Sequence, residues 1–407
     1  MNIAATGFVS EQAGSVASAN ALLLRSLLEN GCRVHFFSKA SFVDPRPAAG
    51  GHPSFRFTDV NNAVSDTIRM RTQGIPILSA GTRMVDVFRY NRMVVEAVRR
   101  ENGRSRFDLC LWLGDYARGR VAGLPTVSFA QGPPGTDARS VLRRFGEVRR
   151  LAGTGAAWKW KLLARLRLSH AGLPRFDFSD LIVVGSSQSR RTLHREFHLP
   201  ESRTASLPYP IDLEAFQPAS GAAVRRVKRC LWLGRIVPRK RLDLFLDGVA
   251  MAIRNGADLE ATLVGSVGFV AGYGKLIASF PFPDRLKWIP SVPRSEVPEL
   301  MRGHDVLIQP SEEEDFGSSV AEAQACGLPV IVGNTNGNGD YLCSSDTQLQ
   351  TDDPRELANA IGSVINAPHQ PGISREFAAS TFDRSAVSKR FIGLLGKVAP
   401  VGKESTV

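Results

Sequence analysis

The sequence is short of the features that mark several large classes of protein. Its five cysteines (Cys32, Cys110, Cys230, Cys326 and Cys343) are odd in number, scattered, and include no C-x-x-C. Most lie in apolar runs and read as small buried hydrophobes in a reducing compartment, which argues against a disulfide framework. No uninterrupted apolar run approaches the ~20 residues of a membrane-spanning helix. The opening residues M-N-I-A-A-T-G-F carry no basic stretch and no apolar core, so they do not read as a signal peptide. No G-x-G-x-x-G follows an expected strand, which counts against a nicotinamide or flavin enzyme. His194–His198 reads H-R-E-F-H, so the order of a zinc metalloprotease fails. The run from Gly265 to Lys275 looks like a phosphate loop, but Phe269 holds its first glycine position and Leu276 follows the lysine.

The chain has 407 residues, 43% of them hydrophobic and 22% charged, which describes a globular protein of two domains. Its net charge of +12 is unevenly placed. Residues 138–175 hold ten Lys or Arg against the single acid Glu147, and the rest of the chain is close to balanced. That argues for one basic face and against nucleic-acid binding.

Asn2–Phe8 reads as a strand, followed by a turn at Gly14-Ser15, a helix with Ala19, Leu22, Leu23, Leu27 and Leu28 at helical spacing, and a strand at Arg33–Phe37. This β-loop-α-β opening is that of a doubly wound parallel sheet. Further strands are expected at Leu109–Leu113, Thr126–Phe129 and Leu181–Val184. The second half repeats the theme, with strands at Cys230–Leu233, Ala261–Val264, Leu286–Ile289, Asp305–Gln309 and Pro329–Val332. Helices are expected between them at 240–254, 294–302, 319–326 and 355–366, and a final one at Ser385–Val398. The aperiodic stretch Asp212–Val227 is the linker candidate. The expected fold is α/β, two Rossmann-like halves facing across a cleft. The divisions are 1–215, 216–375, and a C-terminal helical segment 376–407 packing back towards the first half.

Pro310–Val330, P-S-E-E-E-D-F-G-S-S-V-A-E-A-Q-A-C-G-L-P-V, carries the densest chemistry. Glu314 and Glu322 stand eight positions apart across a turn that runs into a helix. Ser319 and Glu322 have the spacing of a capping box. The first amides of such a helix attract phosphate. An anion site flanked by two carboxylates suits a ligand with phosphates and hydroxyls together, such as a nucleotide sugar. Taken alone, Glu322 reads equally well as a helix cap, and the acidic run Glu312–Asp315 as a solvated loop face.

These residues resemble the retaining GT-B glycosyltransferases of the family 4 group. L-W-L-G-R-I-V-P-R-K is similar to that family's strand and G-R-x-x-x-x-K. T-L-V-G, ending at Gly265, is similar to its next strand and glycine, and Asp305–Ile331 to its E-x7-E region. Pro208–Pro218 and Ser179–Ser189 resemble the linker entry and the last strand of the first domain. The resemblance implies that Arg235 and Lys240 hold the donor diphosphate and stabilise the leaving group. It implies that Glu314 faces the transferred sugar beside the backbone of Phe316 and Gly317, and that Ser318, Ser319 and Val320 offer donors to the phosphates. Glu322 would accept from the ribose, and Gly14 would let a loop approach the phosphates. Arg241 stands where glycine is usual, adding a third cation. Gln131 stands where many relatives carry histidine and cannot act as a base. No metal and no cofactor are implied, and no D-x-D triplet supports a metal-dependent GT-A transferase.

The function this implies is retaining, metal-independent transfer from a nucleotide sugar, UDP-linked by preference, to a glycan or lipid-linked acceptor. It would act in the cytoplasm, in cell-surface polysaccharide or glycolipid synthesis. The alternatives are another GT-B enzyme, such as a sugar phosphorylase or an epimerase, or a non-catalytic nucleotide-sugar-binding or membrane-scaffold protein. Val141, Leu142, Phe145, Val148 and Leu151 recur at helical spacing, with Arg139, Arg143 and Arg150 on one face. That suits an amphipathic helix on an anionic membrane. From Trp158 to Leu168 the alternation has period two, which leaves the local structure open.

Overall fold

The computed structural model describes residues 1–11, 14–41, 43–60, 76–169, 175–219, 226–368 and 370–399, without the side chains of residue 15 and of 76–88. Two parallel sheets organise them. The first runs β3-β2-β1-β4-β5-β6-β7, from β1 (Asn2–Gly7), β2 (Arg33–Ser38), β3 (Phe55–Asp59), β4 (Leu109–Leu113), β5 (Thr126–Phe129), β6 (Leu181–Val184) and β7 (Thr204–Ser206). The second runs β10-β9-β8-β11-β12-β13, from β8 (Lys228–Leu233), β9 (Leu259–Val264), β10 (Leu286–Ile289), β11 (Val306–Gln309), β12 (Val330–Val332) and β13 (Thr347–Gln348). In each sheet the chain reverses its direction of travel once, between β1 and β4 and between β8 and β11. Ligands of open α/β sheets bind at the carboxyl ends of strands flanking such a reversal.

The central strands are apolar on both faces because helices cover both sides of the sheet. All five residues of β4 and all four of β5, β6 and β11 are buried. Ile3 and Ala5 of β1 face one core while Ala4 faces another. Gly265 sits where two strand ends converge: a Cβ there would lie 1.9 Å from the Gly234 carbonyl oxygen. The helix Gly14–Glu29 begins at Gly14 itself, where the sequence suggests a turn.

The basic segment departs most from the sequence reading. It forms three consecutive helices between β5 and β6: Thr136–Arg143, Phe145–Ala152 and Thr154–Arg167. The stretch of alternating period is therefore helical. These helices leave the first sheet and dock on the second. Val148 and Ala157 are fully buried in the second sheet's core. The Tyr273 hydroxyl donates to Glu147 at 2.8 Å, and the Trp160 and Phe269 rings lie 4.8 Å apart. Nor is Arg139–Leu151 a free cationic face. Arg139 and Arg143 pair with Glu313, and Arg144 with Glu312.

At its end the chain returns to the first sheet. Asp383 caps the helix Arg384–Val398 by accepting from the Ala386 amide. The helix packs on Gly14–Glu29 and on β5, and Arg384 meets Glu29 at 3.1 Å. Phe391 is fully buried, its ring 5.3 Å from that of Phe129. Phe391→Ala should cost ~3–5 kcal/mol, the usual loss for a buried aromatic. Chemical denaturation measures this, and an unchanged midpoint would show that the helix is not fixed there.

Candidate active site

The second sheet's reversal brings two loops together. After β8 the chain turns at Gly234 and places Arg235, Arg239 and Lys240 within seven residues, the last two in a 3-10 turn. After β11 it runs through Pro310–Gly317 into the helix Ser318–Ala325. Across the gap, Arg239 Nη1 donates to Glu314 Oε2 at 2.8 Å and Lys240 Nζ to the same oxygen at 2.5 Å. Arg239 Nε also donates to Asp137 Oδ1 at 2.6 Å, with Arg235 Nη2 at 3.5 Å from Asp137 Oδ2. Asp137 belongs to the first half, so the cations face carboxylates from both sides.

These groups border a cavity of about 710 Å³ between the halves, floored on the first-half side by Gln131, Gly132 and the turn Pro133–Gly135. Arg235, Glu314, Phe316, Gly317 and Ser318 line it; Lys240 stands behind Glu314. Gly14, Gly265, Ser319, Val320 and Glu322 are not among its walls. The Phe316 side chain is fully buried among Tyr209, Tyr341 and Phe382, leaving its backbone to the cavity. Gln131 Nε2 is buried with no hydrogen-bond partner among the described residues.

Four sequence expectations change here. Helix Ser318–Ala325 has no capping box, because Gly317 is its cap residue, in a left-handed turn (φ 61°) that a Cβ would drive into Asn338. Ser319 is thus already inside the helix, and its hydroxyl bonds the Gln309 amide. The Val320 amide is not free for phosphate, since it donates to the Gly317 carbonyl at 2.8 Å. Glu322, 2% exposed, meets Arg294 through both oxygens, at 2.9 and 2.5 Å. Arg241 is not the third cation of the site. It takes a left-handed turn (φ 52°), the conformation glycine adopts freely, and points away to Asp243, Glu312 and Asp352. Arg239 is the third cation instead.

The electrostatics follow from burial and pairing. Burial raises the Glu314 carboxyl, but Arg239 and Lys240 overcome it and hold the pKa at about 2. Burial lowers the Lys240 ammonium despite Glu314. Asp315 is the opposite case: burial lifts it to about 6, against hydrogen bonds from Ser189, Tyr209 and the Gly185 amide. The Gly185 amide donates to both its oxygens at 3.0 Å, and the Tyr209 hydroxyl to one of them, tying the end of β6 to the loop after β11.

Residues 216–379 match the family model described as glycosyl transferases group 1. That segment is similar to the glycosyl transferases group 1. A D-inositol 3-phosphate glycosyltransferase of Thermobispora bispora is 29% identical over 210 residues, 47% of this chain and 49% of that protein. One from Rhodococcus jostii is 30% identical over 208 residues, 47% of this chain and 46% of its own. The chain thus spans about half the length of the curated relatives it matches. Among solved structures, Anabaena HepE in complex with UDP and glucose aligns with a TM-score of 0.64 at 15% identity, over 97% of this chain and 99% of that one. Sucrose-phosphate synthase of Thermosynechococcus elongatus aligns at 0.66 and 18%, over 98% and 99%. The fold is therefore GT-B, two facing parallel-sheet halves, as the resemblance implied.

The site residues missed from sequence are Arg239, Asp137, Asp315 and Arg294. Arg239 sits beside Lys240 in P-R-K and was legible as a neighbour. Asp137 and Arg294 meet their partners only through the fold. Asp315 offers a pH test. Its folded pKa, about 6, exceeds the unfolded value of about 4, so stability is lost as pH rises through that window. The stability of Asp315→Asn relative to the parent should therefore increase from pH 4 to pH 6. Denaturant titrations at four pH values read this difference, and a flat difference would remove the buried-acid account.

Proposed function

We propose that the protein is a retaining, metal-independent glycosyltransferase that moves a sugar from a nucleotide-sugar donor to a hydroxyl of a glycan or lipid-linked acceptor. The setting we propose is cell-surface polysaccharide or glycolipid synthesis at the cytoplasmic face of a membrane. The observation that carries this reading is the meeting of Arg239 and Lys240 with Glu314 at one wall of the cavity, with Arg235 near Asp137 on the same wall, beside the mouth of the helix Ser318–Ala325.

In the reading we offer, the diphosphate displaces Glu314 from Arg239 and Lys240 and gains Arg235, which is 66% exposed and able to swing. Three cations neutralise the charge that develops as the anomeric C–O bond breaks, which is the work a metal does in other transferases. The acceptor oxygen forms the new bond on the same face, and its proton passes to an oxygen of the departing phosphate. Glu314, an anion at neutral pH, orients the sugar hydroxyls and steadies positive charge at the anomeric carbon. Gln131, with its unpaired buried donor, is placed to bond a hydroxyl of donor or acceptor. Glu322 reaches the ribose in this scheme only if Arg294 shares it.

HepE's complexes with UDP and UDP-glucose make a UDP-sugar the first donor to test. The relatives named for inositol 3-phosphate make a phosphorylated polyol an acceptor worth including. Thermal shift with UDP, GDP and ADP and their sugars identifies the donor, because a bound ligand raises apparent stability. Glu314→Gln should keep the nucleotide-induced shift while transfer falls by a factor on the order of 100. Transfer at the parental rate in that variant would refute the role given to Glu314.

A further inference from the structure

The helix Thr154–Arg167 is apolar on two sides. On its inner side Ala157 enters the second sheet's core, Trp160 meets Phe269, and Ala164 packs with Ala138 and Val141. Its outer side presents Trp158, Leu162 and Leu166 at intervals of four, with Leu163 beside them, between 43% and 60% exposed. Of six exposed large hydrophobics among the described residues, four lie on this one helix. That concentration is not what a solvated helix shows.

The charges around the stripe are of one sign. Lys159, Lys161, Arg165 and Arg167 flank it, and no acid occurs between Glu147 and Asp177. Among the described residues none of these four pairs with a carboxylate, whereas Arg139, Arg143 and Arg144 all do. Lys161 lies over the rings of Phe145 and Trp158, at 4.2 and 4.6 Å, with its charge still uncompensated. Four of the segment's unpaired cations are thus gathered where its apolar surface is, with Arg149 and Arg150, unpaired among the described residues, on the helix before it.

We propose that this outer face seats on an anionic lipid bilayer. Trp158, Leu162 and Leu166 enter the acyl boundary while the flanking Lys and Arg extend to the head groups. The charge pattern selects this occupant. A second copy of the chain would press the same cations together with no acid between them, which repels rather than binds. The helix has 14 residues and lies in the interface without crossing it. Its inner edge, Leu163, Ala164 and Arg167, also borders the cavity. A bilayer on the outer face therefore brings a lipid-borne acceptor beside the reacting groups. In naming that acceptor, the proposal rests on the transferase reading above.

Co-sedimentation of the full chain with phosphatidylcholine vesicles, with and without phosphatidylglycerol, tests the docking. The parent should bind the anionic vesicles at least about tenfold more tightly than the neutral ones. Trp158→Ser/Leu162→Ser/Leu166→Ser should lose that binding with its melting temperature unchanged, and Lys159→Gln/Arg165→Gln should lose the lipid preference. A parent that stays in the supernatant with both vesicles overturns the proposal. So does a triple variant that binds like the parent, or a parental dimer that the triple variant abolishes. Vesicle binding without any nucleotide-induced thermal shift would uphold the docking and sink the transferase reading. The reverse result would do the converse.

Discussion

The structure depends on one constraint: the four acids of the loop Glu312–Asp315 are buried or nearly so, and each has to be paired. Glu312 meets Arg144 and Arg241, Glu313 meets Arg139 and Arg143, and Glu314 meets Arg239 and Lys240. Asp315 takes the Gly185 amide and the Tyr209 hydroxyl. An ion removed from water without a partner is costly, and removing one partner of a buried pair typically costs about 3–5 kcal/mol. The loop cannot move alone. Its neighbours in both halves hold it, and it holds them.

Cleft geometry follows from that pairing. The helices from Thr136 to Arg167 belong to the first half by sequence and to the second by packing. Their arginines and apolar faces therefore strap the halves together over the cavity. Opening the cleft in this direction would expose Val148 and Trp160 and separate Arg139, Arg143 and Arg144 from Glu312 and Glu313. Both losses are large, so closure is the state that this segment favours.

How much of this was legible in the sequence depends on how local the determinants are. Central strands announced themselves because burial on both faces leaves an unbroken apolar run, as in L-C-L-W-L at Leu109–Leu113. Of the four edge strands among the described residues, Leu286–Ile289 was read and the other three were not. Phe55–Asp59 alternates with charge, and Thr204–Ser206 and Thr347–Gln348 are too short to carry a pattern. The strap read as a membrane surface because its cations are local and their acidic partners lie about 170 residues away. Among the described residues its last two helices keep unpaired charge, at Arg149 and Arg150 and at Lys159, Lys161, Arg165 and Arg167. The serine at 319 looked like a cap because S-x-x-E fits, but Gly317 turns the chain two residues earlier. Glu314 stood out only through its register with Phe316-Gly317 and Glu322, since its two cations come from a different strand end.

The placement of charge also bears on where a proton can go. While Arg239 and Lys240 hold Glu314 at about 2, it is too weak a base to take a proton from a hydroxyl at neutral pH. Asp315, near 6, has the basicity, but its oxygens are occupied by Gly185 and Tyr209. Gln131 has no basicity at all. Asp137 is committed to Arg239, so its lone pairs serve a cation as well. In the proposed reaction the acceptor's proton is assigned to the departing phosphate. Drawing Arg239 and Lys240 onto that phosphate would leave the Glu314 carboxylate uncompensated, facing the anomeric carbon. Positive charge developing at that carbon is what would take their place.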